Sequence, residues 1–437
     1  MLARLLAFIA ISAVPLAVAC SVSTSEDDVP VVDTTEPIIN GSRDTGHPAV
    51  VALTMTKPGP GGKDEYSGCT GTMVSVDPAT KIGYVLTAAH CTIKATSVSI
   101  TQGNDKKASA TLVSYGFIDH YEHPSYNGAT TSPYDVAMIR VIGVDANTPV
   151  VPMLSPDNLV QGQTRVTSVG WGMTIRPDVQ TDAGPNMLKN RIDGTVASLS
   201  ATAVGVRYDN NGDICHGDSG GPVLVTVGGK EYVAAVHSYV YEPCVGVGYS
   251  VRASAHKAFF QGIMSKPAPA PSCDLCKKTA TSGANACGEA RRACYNDAQC
   301  NGLRTCLSAC VSAGGDAGAS DDCKKQCGVQ FPFGAAKYNH SLVYCACNAC
   351  ETQCAGDTTC AAVPECGMVM QATSGDAGPS ACNTCMNGGC CAEQDACGRD
   401  GHCYRCTRNP ETAGCDTDAL YKRLTTCKAA RCSGQCQ

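Results

Sequence analysis

Asp213-Ile214-Cys215-His216-Gly217-Asp218-Ser219-Gly220-Gly221-Pro222 sets a serine among glycines, between a polar run and an apolar one. Ahead of it stands Asp209-Asn210-Asn211-Gly212, and after it the β-type run from Pro222 to Val227. Gly228-Gly229 follows, then a second β-type run from Lys230 to Val236. Two glycines between such runs supply the positive φ values that a two-residue hairpin turn demands. The serine therefore lies in a loop that opens a β-hairpin. From 38 to 252 the same texture holds, with short runs such as Tyr84-Val85-Leu86, Val136 to Val141 and Val166 to Val169 broken by Gly, Pro, Asn and Asp. One helix is expected at the end, capped by Ser254, with Ala255, Phe259 and Ile263 at i, i+4 and i+8. Many strands with one terminal helix predict an all-β barrel or sandwich.

A serine hydroxyl is a poor nucleophile until a base removes its proton, and the base needs a buried acceptor on its other nitrogen. Two further strings supply those groups: Leu86-Thr87-Ala88-Ala89-His90-Cys91 and Tyr134-Asp135-Val136-Ala137-Met138-Ile139. Gly217-Asp218-Ser219-Gly220-Gly221 also fits the G-x-S-x-G elbow of α/β-hydrolases, but that elbow needs a strand before the serine and a helix after it. Here a polar run precedes the serine and a β-type run follows it. The elbow also needs its Asp and His downstream, whereas His90 and Asp135 precede the serine. The remaining histidines offer only His120-x2-His123 at a metal-ligand spacing, in a stretch that reads as loop, so no metal site is expected.

These three strings resemble the trypsin/chymotrypsin family of serine peptidases over about residues 38–264. Ile38-Ile39-Asn40-Gly41 is similar to the family's mature N-terminus, and Gly170-Trp171-Gly172 to an internal landmark. The resemblance implies two six-stranded antiparallel barrels with the active site between them. It implies His90 as general base and acid, Asp135 as orienter and Ser219 as nucleophile. The N–H groups of Gly217 and Ser219 would form the oxyanion hole. Cys69–Cys91 and Cys215–Cys244 would be disulfides, and Ser238 would lie on the strand that pairs with substrate. Asp213 would sit at the base of the primary pocket and select Arg or Lys, because a desolvated carboxylate is costly without a cation. The alternative is a solvated loop aspartate. Val240 departs from the trypsin pattern, which has Gly there, and would narrow the pocket entrance. A freed Ile38 amine would pair with Asp218, yet Glu36-Pro37 precede it, so self-activation by a tryptic cut is not expected. The expected function is an exported serine endopeptidase without cofactor, acting on protein or peptide substrates through an acyl-enzyme. The competing reading is an adhesion or binding protein whose peptidase domain is secondary or inactive.

The chain has 437 residues, Lys+Arg 33 and Asp+Glu 39. A net charge of −6 lacks the basic face that nucleic-acid binding requires. Five of the 31 cysteines fall in 1–272 and the other 26 in 273–437, so two modes of stabilisation share one chain. Cysteine on this scale reads as an exported, disulfide-bonded protein. Residues 1–19 read as a signal peptide, with an apolar run from Leu5 to Val18 that is too short to span a bilayer. Ala17-Val18-Ala19-Cys20 suits either ordinary cleavage or a bacterial lipobox, although Ala17 stands where the lipobox prefers Leu. Lipidation of Cys20 leaves an even number of cysteines, so a lipid-anchored surface protein and a freely secreted one both stay open, as a monomer. The expected plan is a spacer at 20–37, a peptidase domain at 38–266, a Pro/Ala linker at 267–272 and a Cys-rich region at 273–437.

That last region is expected to be small, disulfide-rich and built mostly of short helices. C-x-x-D-x-x-C recurs at Cys294–Asp297–Cys300, Cys354–Asp357–Cys360 and Cys397–Asp400–Cys403. A C-x2-C lies upstream of each, at Cys273/Cys276, Cys347/Cys350 and Cys382/Cys385, and predicts three modules. Gly315-Asp316-Ala317-Gly318 and Gly375-Asp376-Ala377-Gly378 mark repeated loops. The array resembles Cys-rich repeats of exported bacterial proteins of the myxobacterial kind. Export favours disulfides over zinc for the C-x2-C pairs. The Ala- and Arg-rich stretch from Glu289 to Cys310 suits helix. Cysteines at i and i+4 on a helix stand too far apart to bond each other. An antiparallel hairpin around the Gly-rich Val311 to Asp322 loop would instead pair Cys306 with Cys327 and Cys310 with Cys323; long-range pairing to other modules is the alternative.

Overall fold

The computed structural model describes residues 38–436 except 60–63, 108–110, 180–186, 284–285, 315–320, 332–333, 335–337, 339–344, 358–359, 361–380, 400, 409 and 412. The expected signal peptide, Cys20, the spacer and both Gly-Asp-Ala-Gly loops lie outside the described residues. Strands β2 (Val50–Pro58), β3 (Asp64–Asp77), β4 (Ile82–Thr87), β5 (Ser97–Gln102), β6 (Val113–Glu122) and β7 (Ala137–Ile142) close a barrel in the order β2-β3-β4-β7-β6-β5. The second barrel takes β8 (Arg165–Gly170), β9 (Asn190–Leu199), β10 (Ala203–Tyr208), β11 (Pro222–Val227), β12 (Lys230–Tyr239) and β13 (Gly248–Arg252). Their order is β9-β10-β13-β12-β11-β8, and a β8–β9 ladder closes the ring. A two-residue β1 (Ser42–Arg43) is added on β9. All these ladders are antiparallel, and closure leaves neither sheet with open edges.

The sequence explains the elements locally. β9 alternates buried and half-buried residues, the period-2 signature of a strand with one face in the core. β4 and β7 are apolar runs buried throughout, because each lies between the barrel interior and a covered outer face. Arg140 in β7 is tolerated because Asp119 accepts from its Nε at 2.8 Å and Nη2 at 2.6 Å, and Pro267 O accepts from Nη1 at 2.9 Å. Gly228 and Gly229 both have positive φ, as the β11–β12 turn requires. The terminal helix differs from expectation: a 3-10 turn, Ala253–His256, precedes a helix at Lys257–Met264. Ser254 does not cap it, because its Oγ donates instead to Asp157 Oδ2 at 2.7 Å. His120 also departs from its loop assignment and lies in β6.

Beyond the linker the described chain is helical and cross-linked, and every described cysteine is disulfide-bonded. The bonding shows two modules where three were expected. In the first, Cys273–Cys354, Cys276–Cys350, Cys287–Cys345 and Cys294–Cys300 form a ladder. In the second, Cys382–Cys436, Cys385–Cys432, Cys390–Cys427 and Cys397–Cys403 repeat it rung for rung. Both modules therefore share C-x2-C at the start, C-x6-C-x5-C within and C-x4-C-x3-C at the end. The Cys354–Asp357–Cys360 string is the end of the first module, with Cys360 bonded back to Cys347. It resembles the others because an Asp accepts from the N–H three residues on, as Asp297 does for Cys300 and Asp357 for Cys360. The spacing argument for Cys306–Cys327 and Cys310–Cys323 agrees with the structure. The helices flanking that turn, Ala298–Gly314 and Asp321–Gln330, run further into it than expected.

From Glu36 to Gln437 the chain is one contact unit. Helix Cys273–Ala280 lies on β6 and β7, and Gly283 N donates to Ser114 O at 2.9 Å. At the other end, Lys189 is fully buried, donating to His47 O at 2.6 Å with Asp44 Oδ2 at 3.4 Å. This pins the segment after Ile38 to the second barrel. Asp157, 3% exposed, accepts from Arg252 Nε and Nη2 as well as from Ser254. Asp157→Ala should strand those donors and cost about 3 kcal/mol, measured by denaturant unfolding; a change under about 1 kcal/mol would show that water replaces the carboxylate.

Candidate active site

His90 stands at the start of a one-turn helix, Ala89–Thr92, that follows β4 directly. Asp135 precedes β7, the strand paired with β4, so two neighbouring strand ends bring the residues together. Asp135 is fully buried and accepts three hydrogen bonds: His90 N at 2.8 Å, His90 Nδ1 at 2.7 Å and Ser238 Oγ at 2.6 Å. The Nδ1 bond fixes the neutral tautomer with Nε2 free, which is the form able to accept a proton.

Ser219 comes from the second barrel, in the loop before β11, and shares one cavity of about 280 Å³ with His90. Among the described residues no hydrogen bond joins Ser219 Oγ to His90 Nε2; such bonds often tighten only with substrate. The loop is fixed across the barrel junction. Thr70 Oγ1 donates to Gly217 O at 2.9 Å, and Thr70 N to Ser219 O at 2.9 Å. Gly220 has φ +82°, and a Cβ there would lie 2.0 Å from Thr87 Oγ1 and 2.4 Å from Thr70 O. Only glycine fits where the two barrels touch. Neither Gly217 N–H nor Ser219 N–H donates to a described group, so both are available to an incoming oxygen. Cys69–Cys91 anchors the histidine turn, and Cys215–Cys244 ties the serine loop to the segment after β12.

Asp213 is wholly buried, which removes the solvated-loop alternative. Ile214 N donates to its Oδ1 at 2.8 Å while Oδ2 has no partner, and burial lifts its pKa to about 7. It is not among the residues that line the cavity, whereas Ile214, Cys215, Ser238 and Val240 are. Asp218 is also wholly buried; it accepts from Gly172 N at 2.8 Å and Cys215 N at 2.9 Å, and burial raises it to about 7 as well. A Cβ at Gly172 would come within 2.4 Å of that carboxyl, which accounts for the glycine of the Gly170-Trp171-Gly172 string. Ile38 and Ile39 are buried, and Asp213 N donates to Ile39 O at 3.2 Å, so the segment expected to be freed already packs beside this loop.

Several cavity residues escaped the sequence reading, among them His216, Tyr239, Thr130 and His237. Thr130 O lies 2.6 Å from Ser238 Oγ and competes with Asp135 for its single proton. His237 lines the cavity, is fully buried with Nδ1 3.1 Å from Ser250 Oγ, and has no partner on Nε2; burial depresses its pKa to about 3. Its place immediately before Ser238 was the available signal. The described sulfurs that cluster near histidines, such as Cys69/Cys91 with His90, are in disulfides and offer no thiolate to a metal.

Residues 38–258 match the family described as Trypsin. The chain is 26% identical over 232 residues to chymotrypsin-like elastase family member 1 of Canis lupus familiaris, covering 49% of this chain and 85% of that one. It is 25% identical over 192 residues to trypsin of Saccharopolyspora erythraea, covering 41% and 77%. With vitamin K-dependent protein C of Oryctolagus cuniculus it shares 24% over 180 residues, 36% of this chain and only 39% of that protein's length. With two closed barrels meeting at the Ser219 loop and the match spanning both, the chain belongs to the trypsin family.

Proposed function

We propose that the protein is an extracellular serine endopeptidase in which Ser219 attacks the peptide carbonyl, His90 moves the proton and Asp135 holds the imidazole. The observation that carries this is the buried Asp135 bonded to His90 Nδ1, with His90 and Ser219 lining one cavity. Removal of the hydroxyl proton by Nε2 leaves an imidazolium, which the adjacent carboxylate stabilises. The N–H groups of Gly217 and Ser219 would take the oxyanion. The imidazolium gives its proton to the leaving amine as the C–N bond breaks, and water deprotonated by the same histidine then releases the acyl group from Ser219. The disulfide content suits an oxidising, extracellular setting, and the family implies a protein or peptide substrate. A signal peptide at 1–19 belongs to this proposal too, followed by either a lipid anchor on Cys20 or free secretion. Ser219→Ala should lower kcat by about 10⁵–10⁶-fold on any cleaved peptide; residual turnover within tenfold of the parent would remove Ser219 from the mechanism.

For specificity we retain Arg or Lys on the acyl side of the cut. The support is Asp213, whose Oδ2 is buried without a donor and would gain a full charge partner from a cationic side chain. A peptide library read by mass spectrometry should show Arg/Lys at that position, and Asp213→Ser should abolish the preference. Cleavage after small aliphatic residues instead would mean that Val240 governs the pocket.

Activation rests on Asp218. With no amine beside it the carboxyl stays protonated up to about pH 7, far above the ordinary 3.8. A carboxyl with a raised folded pKa stabilises the fold below the unfolded value and loses that contribution as pH climbs to the folded one. Cleavage ahead of Ile38 would supply an ammonium and keep Asp218 ionised without that loss. In a Ser219→Ala background, the thermal midpoint of the cut chain minus that of the uncut chain should therefore grow from pH 4 to pH 7. A difference that is flat across this window would exclude the pair.

A further inference from the structure

The first cysteine module meets the first barrel across a cavity of about 260 Å³ that takes no part in the chemistry above. Its lining comes from β5 and β6 on one side (Ser99, Thr101, Ser114) and from the helices Ala286–Asn296 and Ala298–Gly314 on the other (Arg291, Arg292, Arg304). Three arginines line one small space, and no Asp or Glu lines it among the described residues.

Their described partners are almost all neutral. Arg291 Nε donates to Tyr295 OH at 3.0 Å, and its Nη groups have no hydrogen-bond partner among the described residues. Arg304 donates to Asn301 Oδ1 through Nε and Nη2, and stacks over the Tyr295 ring at 4.6 Å. Arg292 donates to Gly283 O at 2.9 Å; its contact with Glu289 is long, 3.8 Å, to a side chain 68% exposed. An exposed pair at that distance offsets little charge. Three cations left this way repel one another, and each guanidinium presents a planar fork suited to oxyanions. Tyr295 holds two of them rigidly, since Arg291 also lies over its ring at 5.3 Å. Pre-positioned charge of this kind lowers the ordering cost of binding.

We propose that this cavity is an anion site for a phosphate or sulfate monoester of a sugar or small polyol, and that its occupant clamps the cysteine module to the peptidase barrel. A tetrahedral ester offers three terminal oxygens to three guanidinium groups, more acceptors than a carboxylate presents. The cavity is larger than a bare oxyanion, and the hydroxyls of Ser99, Thr101, Ser114 and Thr281 suit the polyhydroxy remainder. The site is remote from Ser219: no residue lining one cavity lines the other.

The test is calorimetric titration of the full chain carrying Ser219→Ala, at low salt, with glucose 6-phosphate, glucose 6-sulfate and glucose. One ester or both should bind one to one with Kd below about 1 mM, glucose should not, and affinity should fall as salt rises. Which ester binds tighter assigns the source, phosphate or sulfate. Arg291→Gln should weaken binding at least about tenfold, while Arg176→Gln, whose guanidinium pairs with Asp178 elsewhere, should bind as the parent does. Absence of binding by either ester to the parent chain at about 10 mM overturns the proposal whatever the variants do. A folded Arg291→Gln chain with unchanged affinity overturns it too.

Discussion

A carboxylate with no access to water must be given its hydrogen bonds by the protein or it will not stay charged. Asp135 meets that condition with donors from both halves of the fold: the backbone and ring of His90 from the first barrel, and Ser238 Oγ from β12 of the second. Two closed barrels have no edges with which to pair, so the groups at their junction must register them. Thr70 does the same for the serine loop, binding Gly217 O and Ser219 O while accepting from Trp171 N. Loss of either residue would therefore disturb the relative position of the barrels as well as the geometry at the cavity.

The two barrels and the cysteine modules meet the same entropy by different routes. The barrels bury continuous apolar clusters, with β-branched residues and Leu from every strand. The modules have small clusters made largely of cystine, such as Met386, Leu424 and the sulfurs around them. A few apolar side chains cannot offset the ordering of so many residues, and cross-links limit the unfolded ensemble instead. That economy also explains why the two modules tolerate different loop lengths between Cys276 and Cys287 and between Cys385 and Cys390. The ladder, and not the packing, sets their shape.

Much of the barrel fold was legible because its signals are local: apolar runs of strand length, Gly228-Gly229 at a turn, and short strings around His90, Asp135 and Ser219. What failed was also local in origin. Ser254 reads as a helix cap, but a buried aspartate 97 residues away competes for its hydroxyl and wins. The C-x-x-D-x-x-C strings read as module markers because capping by aspartate imposes the same spacing wherever a helix starts after a cysteine. Module boundaries are set by long-range bonds such as Cys273–Cys354, which no short pattern encodes. His237 went unnoticed because burial is a property of the closed barrel, and only its place beside Ser238 marked it in the sequence.

The loop from Asp213 to Gly221 also carries an electrostatic debt. Asp213 and Asp218 are both buried, each is lifted to about 7, and each raises the other's neighbour Tyr208 further. Backbone N–H groups from Ile214, Cys215 and Gly172 lower both carboxyls only partly. Such a loop is stable with protons in place, and becomes a pair of strong anion sites only when cations are brought to it. Under the proposed function those cations come from two directions, a substrate side chain at Asp213 and a new chain terminus at Asp218. Because the two acids lie in one buried loop, an anion at Asp218 would make ionisation of Asp213 harder, and a neutral Asp218 leaves it easier. An amine at Asp218 would leave that pair neutral overall, as the protonated carboxyl already is, so the charge that Asp213 feels would change little. Cleavage ahead of Ile38 would then reach the pocket through the position of the loop, and the charge at Asp213 would be left for the substrate to meet.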